Sequence, residues 1–422
     1  MDINPLFSAA LGLTSPWKVV SVDFDPAGKE GVGLLRIELD FEPGARFPCG
    51  ECGAASPAYD SAPQEWRHLD FFQHESVLRA RVPRVQCAEH GVRKVSTLPW
   101  ARPGSGFTLL FEAYVMMMSS EMPMKALARA VREHDTRLWR LVTAHVQQAR
   151  AKVDMSGVRD LVVDETSQAR GHEYVTIFVE PGEEEARVLF VDNGRSSDTF
   201  SHFSQDLAAH GGSAAKVRDV CMDMSPAYRK GAEQAMPRAE VTYDRFHVLK
   251  LASEAVDEVR RLELKAQPAL KGTRYTWLKN PANLTGDQYA KFVRLSELNL
   301  NTVTAYHMRL NLQQVWRCRG ARTARRLLGK WTGWVHRACR AGKGEEPGLE
   351  PMVRLAKTIR EHRHGILNYF RKRMTSAVIE GFNSLVQAAR ARARGYRNPE
   401  TFKTIIYLIG GRLKYDLPAL HA

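Results

Sequence analysis

A mixed α/β fold, preceded by a strand-rich region and a helical one, is what this sequence predicts, on three observations. Five short apolar runs, at 161–163, 174–179, 188–191, 217–222 and 239–243, have strand length, and helix-length stretches separate the later ones. Acids follow the first and the fourth: Asp164 closes Leu161-Val162-Val163, and Asp223 closes Val220-Cys221-Met222. Far upstream, Cys49-Gly50-Glu51-Cys52 and Cys87-Ala88-Glu89-His90 repeat one spacing. Three close strands followed by helix, strand, helix, strand is the order of an RNase H-like sheet. In that order strands one and four lie side by side and parallel, and ligands collect at their carboxyl ends. The expectation is therefore α/β: an RNase H-like catalytic domain with a helical insertion, preceded by a zinc-binding domain and a helix-turn-helix.

Each region has its own signal. Residues 1–100 carry turn residues and alternating runs such as Leu34-Leu35-Arg36-Ile37-Glu38-Leu39 and Val77-Leu78-Arg79-Ala80-Arg81-Val82, which predict a small, mostly strand domain. Pro103-Gly104-Ser105-Gly106 breaks the chain, and 101–152 then reads as helical. Within it, 124–132 and 136–148 predict two helices broken at Glu133-His134-Asp135, with Asp135 as N-cap of the second and no glycine at the turn. Residues 153–250 and 371–415 would form the sheet domain, and 251–370 a basic helical insertion. Its tryptophans, Trp277, Trp316, Trp331 and Trp334, could stack on bases, although buried packing is the commoner use of the residue. Gly342-Lys343-Gly344-Glu345-Glu346-Pro347-Gly348 predicts a flexible loop inside the insertion.

Composition narrows the partner. The 422 residues carry a net charge of +14, an excess that a polyanion requires and a merely solvated surface does not. No apolar run approaches the roughly 18 residues of a membrane span, and the cations are spread over several helices, so double-stranded DNA is the expected partner and a membrane is not. The start, Met1-Asp2-Ile3-Asn4-Pro5, lacks the features of a signal peptide, which predicts a cytoplasmic, nucleoid-associated protein.

Three acids form the candidate catalytic set. Asp164 and Asp223 come from strands, and Glu380 from a late helix on which Thr375 or Ser376 is the cap. Glu380, Asn383, Ser384 and Gln387 share one face, and Ile379, Phe382, Leu385 and Val386 are expected to bury the rest. Such acids can hold two divalent ions about 3.5–4 Å apart, one activating the attacking oxygen of a phosphoryl transfer and one stabilising the leaving oxygen. Each acid alone is equally well a surface residue near an element end; the strand order and the charge favour the set. Glu165 competes with Asp164, since both follow the first strand.

The motifs Val163-Asp164-Glu165, Met222-Asp223-Met224-Ser225-Pro226-Ala227-Tyr228, Asp244-Arg245-Phe246-His247, Glu380-Gly381-Phe382-Asn383 and Arg394-Gly395-Tyr396-Arg397-Asn398 resemble those of the ISL-three family of bacterial insertion-sequence transposases, of the DDE class. The similarity runs over nearly the whole chain. It implies that Asp164, Asp223 and Glu380 bind magnesium and catalyse DNA cleavage and strand transfer, and that Asp244 and His247 lie in a motif beside the active site. Two positions depart from the family pattern: Ser376 stands where Asn is common, and Gln387 where Lys is common. A missing cation at 387 would weaken a DNA contact near the site.

Cys49, Cys52, Cys87 and His90 are the candidate ligands of one structural zinc, with strands expected in the 34 residues between the pairs and His68 or His74 as substitutes for His90. Cys221, Cys318 and Cys339 stand alone. Arg137 and Arg140 would project from the second helix of the pair into DNA, and Arg371, Lys372, Arg373, Arg390, Arg392 and Arg394 are candidate phosphate contacts. The favoured function is a DNA transposase acting on its own element ends, as a homodimer or larger assembly on DNA. Its rivals are a catalytically silent DNA-binding regulator, and a nuclease or resolvase that cuts without joining.

Overall fold

A computed structural model describes residues 3–419 apart from 30, 96, 170, 172, 183, 184, 299 and 342–347. The loop expected at 342–348 falls, except for Gly348, outside the described residues. The chain divides into two compact units, Met1–Ala149 with Leu413–Ala422, and Arg150–Arg412.

The first unit opens with a short helix, α1 (Asn4–Ala10), and six strands: β1 (Trp17–Lys29), β2 (Val32–Phe41), β3 (Arg46–Pro48), β4 (Ala55–Phe71), β5 (His74–Cys87) and β6 (Gly91–Lys94). They make one sheet in the order β1-β2-β5-β4-β3, with β6 on β5; only β2 and β5 run parallel. Pairing of β4 with β5 continues well past the runs visible in the sequence, so the two strands reach 17 and 14 residues. Their inward face packs Trp17 and Trp66 edge-on against Trp100, with ring centroids 4.8 and 5.5 Å away.

Three helices follow, α2 (Leu109–Glu121), α3 (Met124–Ala130) and α4 (Asp135–Arg150). The last two are the expected helix pair, with Leu127, Leu138, Val142 and Val146 buried. Asp135 lies in the first turn of α4 and not at its cap. The turn dispenses with glycine because Arg132 takes the left-handed conformation itself, at φ 54°. Its guanidinium is held by Asp70, by Glu75 at 3.4 Å and by the Gln73 carbonyl at 3.3 Å, contacts that offset the cost of an unfavourable backbone.

The second unit is built on β7 (Asp160–Ala169), β8 (Glu173–Glu180), β9 (Arg187–Asn193), β10 (Asp219–Met222) and β11 (Glu240–Tyr243), in the order β11-β10-β7-β8-β9. β10 is parallel to both β7 and β11, while β8 is antiparallel to its neighbours. Between β9 and β10 runs α5 (Asp198–Ala209), and between β10 and β11 runs α6 (Pro226–Ala235). These two bury Phe200, Phe203 and Tyr228 against Leu161, Val163 and Val220. Among the described residues seven α-helices follow: α7 (Arg245–Glu263), α8 (Arg274–Leu278), α9 (Gly286–Ser296), α10 (Asn301–Gln313), α11 (Ala321–Ala341), α12 (Glu350–Glu361) and α13 (Arg363–Lys372). Then α14 (Ala377–Arg392) and α15 (Pro399–Gly410) cover the other face of the sheet, setting Ile379, Val386, Phe402 and Ile406 on Val162, Ile177 and Cys221.

The tryptophans of the helical segment go to its core. Trp277, Trp316 and Trp331 are buried, Trp334 is partly so, and Trp331 donates to the Met308 carbonyl at 2.7 Å. Base stacking is closed to the three buried rings. Among the described residues no helix is long and apolar enough to cross a membrane.

One buried charge ties α2 to α4. Glu112 is fully buried and accepts hydrogen bonds from Arg102 (2.8 Å), Ser105 (2.5 Å) and His145 (2.7 Å). Burial alone would raise its pKa, but the donors win and hold it below the usual carboxylate range. Glu112→Ala strands those donors in the interior and is expected to destabilise the first unit by about 3–5 kcal/mol; urea unfolding of the full chain measures it, with a smaller loss for Glu112→Gln.

Candidate active site and metal centre

Strand register brings the two aspartates together. β7 and β10 pair Asp160 with Asp219, Leu161 with Val220 and Val162 with Cys221. Two residues on, Asp164 and Asp223 stand level on neighbouring strands, which lie about 4.8 Å apart. The twofold repeat of a strand then fixes their face. Val162 and Cys221 point toward α14, so Asp164 and Asp223 do too, while Glu165 follows Leu161 and Val163 to the opposite face. There Glu165 meets Arg195 at 3.4 Å.

Asp164 differs from expectation in one respect. It does not end its strand: β7 continues to Ala169, because Glu165 to Ala169 still pair with β8 after β10 has stopped. Asp223 does lie just past its strand, where one carboxylate oxygen accepts the Ser225 amide at 2.7 Å ahead of α6.

The helix α14 brings Glu380 over the same face. Asn383, one turn from Glu380, donates to Asp164 at 3.0 Å; Gln387 donates to the Thr166 hydroxyl and the Ser167 carbonyl, both at 2.8 Å; Arg390 donates to the Ser167 carbonyl at 3.1 Å and to Gln387 at 2.9 Å. Three polar side chains at helical spacing thus fasten α14 along β7. Glu380 itself is exposed. Ser376 occupies the cap position, yet its hydroxyl donates to Glu380 Oε1 at 2.9 Å and makes no capping bond. Leu385, expected to be buried, is 57% exposed, because the helix rests on the sheet along its Ile379, Phe382 and Val386 side.

Asp244 and His247 complete the surroundings. Asp244 caps α7 by accepting from the Phe246 and His247 amides, and its other oxygen accepts from the Ser376 amide at 3.1 Å, tying α7 to the start of α14. Burial pushes Asp244 up, but these bonds and His247 keep it below the usual carboxylate range. His247 lies 3.4 Å from Asp244, and that contact, reinforced by Asp164 and Asp223, raises its pKa against the effect of burial. Asp164, only 8% exposed, is pushed up to about 6, first by burial, with Glu165 and Asp223 adding repulsion and His247 opposing it. Carboxylates desolvated and crowded in this way are relieved by cations. That chemistry fits divalent metal, although the oxygens of Asp164, Asp223 and Glu380 are more widely spread than the cysteine cluster below.

The first unit gathers a second set of ligands. Cys49, Cys52, Cys87 and His90 bring their donor atoms within 4.8 Å of one another, with Cys52 Sγ to Cys87 Sγ and Cys87 Sγ to His90 Nδ1 both 3.6 Å. Four ligands at Zn–S distances of about 2.3 Å in a tetrahedron require sulfurs about 3.8 Å apart, so the set fits zinc with no open position. Gly53, at φ 73°, shapes the first knuckle, and the amides of His90 and Glu89 lower the pKa of the Cys87 thiol. His68 and His74 are occupied elsewhere: His68 bonds to Thr108 and is pushed down to about 4 by burial and by Arg67, while His74 accepts the Gly33 amide.

The candidate DNA contacts divide. Arg140 and Arg394 are exposed. Arg137 is exposed but pairs with Glu133 at 2.5 Å and lies 4.4 Å over the Phe107 ring. Arg390 is occupied by Ser167, Arg371 and Lys372 by Asp219, and Arg373 by the Arg319 carbonyl.

Family models match three stretches of the chain: the zinc-finger of transposase IS204/IS1001/IS1096/IS1165 over 45–90, the helix-turn-helix domain of transposase family ISL3 over 96–146, and an ISL3 model described as transposase over 161–406. The transposase for insertion sequence element IS1001 of Bordetella parapertussis is 27% identical over 395 residues, covering 89% of this chain and 94% of that protein. The transposase for IS1557 of Mycobacterium tuberculosis is 27% identical over 453 aligned positions, covering 99% and 97%. A five-stranded mixed sheet, a four-ligand zinc cluster and a helix pair thus coincide with three consecutive domain models of one family, and the chain belongs to the ISL3 family of DNA transposases.

Proposed function

We propose that this transposase cleaves DNA at the ends of its insertion sequence and transfers the freed strands to a target, using Asp164, Asp223 and Glu380 as its catalytic acids. The observation that carries the reading is the level placement of Asp164 and Asp223 on adjacent parallel strands, under a helix that bears Glu380 one turn from the Asp164 partner Asn383. The sheet order supports an RNase H-like catalytic domain from 153–250 and 371–415, with 251–370 as the helical insertion.

The three acids would hold two magnesium ions, which when bound supply activation of the attacking oxygen and stabilisation of the leaving oxygen. The chain does the rest. Asn383 orients Asp164, Ser376 orients Glu380, and Asp244 fixes α7 to the start of the helix that carries both partners. Water attacks in the first step, breaking a phosphodiester bond and leaving a 3' hydroxyl. In the second step that hydroxyl attacks a phosphodiester of the target, joining to its phosphorus while the target's own 3' oxygen leaves as a hydroxyl. Because two ends are joined in concert, a homodimer or larger assembly forms on DNA. Recognition belongs to residues 1–152: zinc held by Cys49, Cys52, Cys87 and His90 stabilises the sheet, and α4 presents Arg140, with Arg394, just past the end of α14, as a further contact.

Three outcomes test this. Asp164→Asn, Asp223→Asn or Glu380→Gln is expected to lower strand cleavage in magnesium at least about a thousandfold while DNA binding in a gel-shift assay changes little; a variant that still cleaves removes its residue from the set. Asp164 also predicts a pH effect in metal-free protein. Its folded pKa lies above its ordinary value, so its contribution to stability is present at low pH and is lost as pH rises through about 6. Asp164→Asn should therefore stabilise metal-free protein by about 1–3 kcal/mol at neutral pH and by almost nothing near pH 4, as followed by thermal melting. Chelation should release one zinc per chain and unfold the β1–β6 sheet; a zinc-free preparation with unchanged circular dichroism overturns the ligand assignment.

A further inference from the structure

Where α12 ends and α13 begins, the two helices meet the start of α11 around a cavity of 410 Å³. Its lining includes Arg325, Arg360, Arg363, His364 and Arg371 against a single acid, Glu361. Arg371 is held in place by Asp219, and His364 lies 3.9 Å from Glu240. Arg325, Arg360 and Arg363 are exposed, and their guanidinium groups make no ion pair or hydrogen bond with another described residue. Three unneutralised guanidinium groups converging on a concave surface repel one another, an arrangement that an anion relieves. Beside them Leu367 and Phe370 supply an apolar wall. An anion alone has no use for that wall, whereas a phosphodiester strand presents phosphate and sugar together.

We propose that this cleft is a DNA backbone site, one that grips a stretch of duplex away from the scissile phosphate. The separation follows from the sheet. Arg371 anchors the cleft to Asp219 at the first residue of β10, and Asp223 lies four residues further, about 13 Å along the strand direction. DNA seated at the acids and in the cleft would therefore be held at both ends of the strands. The inference rests on this chain being a DNA transposase and adds a contact surface to it.

The test is binding of the full-length zinc-loaded protein to a random-sequence duplex across a salt series. Arg360→Glu with Arg363→Glu is expected to weaken binding about tenfold or more and to reduce the slope of log K against log salt by about 2, one for each phosphate left without its guanidinium. Lys271→Glu with Lys291→Glu makes the same charge change at exposed positions outside the cleft, and is expected to reduce the slope by less than half as much. Equal losses in the two pairs would mean a diffuse field and no site, and wild-type binding by the first pair would likewise overturn the proposal. Thermal melts report folding; if the first pair does not fold, Arg325→Glu replaces it, with an expected slope change of about 1 and the same overturning result if none is seen. Magnesium-dependent cleavage by the unsubstituted protein is measured alongside. Its absence sinks the catalytic reading, whereas normal cleavage with an unaltered cleft variant sinks the cleft alone.

Discussion

The second unit of this protein depends on one register, the parallel pairing of β7 with β10. A strand repeats every two residues, so a slip of one position would turn Asp164 or Asp223 to the face packed by α5 and α6. Apolar burial on both faces opposes such a slip. Leu161, Val163, Val220 and Met222 fill one side, Val162 and Cys221 the other, and neither set tolerates a carboxylate. The acids are therefore located by hydrophobic packing upstream of them. At the amino ends, Lys372 adds an ionic lock by reaching both Asp160 and Asp219 at 2.7 Å.

Above that frame, α14 is attached by hydrogen bonds more than by apolar contact. Its Asn383, Gln387 and Arg390 run along β7 while Leu385 stays outside. Gln387 is central to that attachment. Its amide is fixed to Thr166 and Ser167, where it sets the height of the helix, and so of Glu380, against Asp164. Ser376 likewise holds Glu380 by its hydroxyl and Asp244 by its amide. Ser376 and Gln387 are thus both integrated into the surroundings of the acids.

Much of this was legible in the chain. Cys49, Cys52, Cys87 and His90 announced themselves because ligand pairs on tight turns carry a fixed spacing. The five strands of the second sheet showed as apolar runs because they are buried on both faces. The true length of β7 did not show, since Glu165 to Ala169 are mostly polar and take strand geometry only from β8. Nor could the sequence choose between Asp164 and Glu165. That choice turns on which face receives α14, a contact between residues more than two hundred positions apart. The cations were the hardest to read: Arg390, Arg371 and Lys372 look like Arg140 on paper, yet carbonyls and carboxylates of the fold already occupy them.

The zinc knuckles sit at the open end of the β4–β5 hairpin, and its turn lies at Phe72 and Gln73. During synthesis Cys49 and Cys52 are made 34 residues ahead of the second ligand pair, so the four-ligand site cannot form before both strands of the hairpin have been made. Closing a loop of 34 residues through metal alone is entropically unfavourable, and a zipped hairpin removes most of that cost in advance. Metal capture is consequently the seal on a completed sheet, and ribosome-bound chains that end before residue 90 must keep their first two thiols without it.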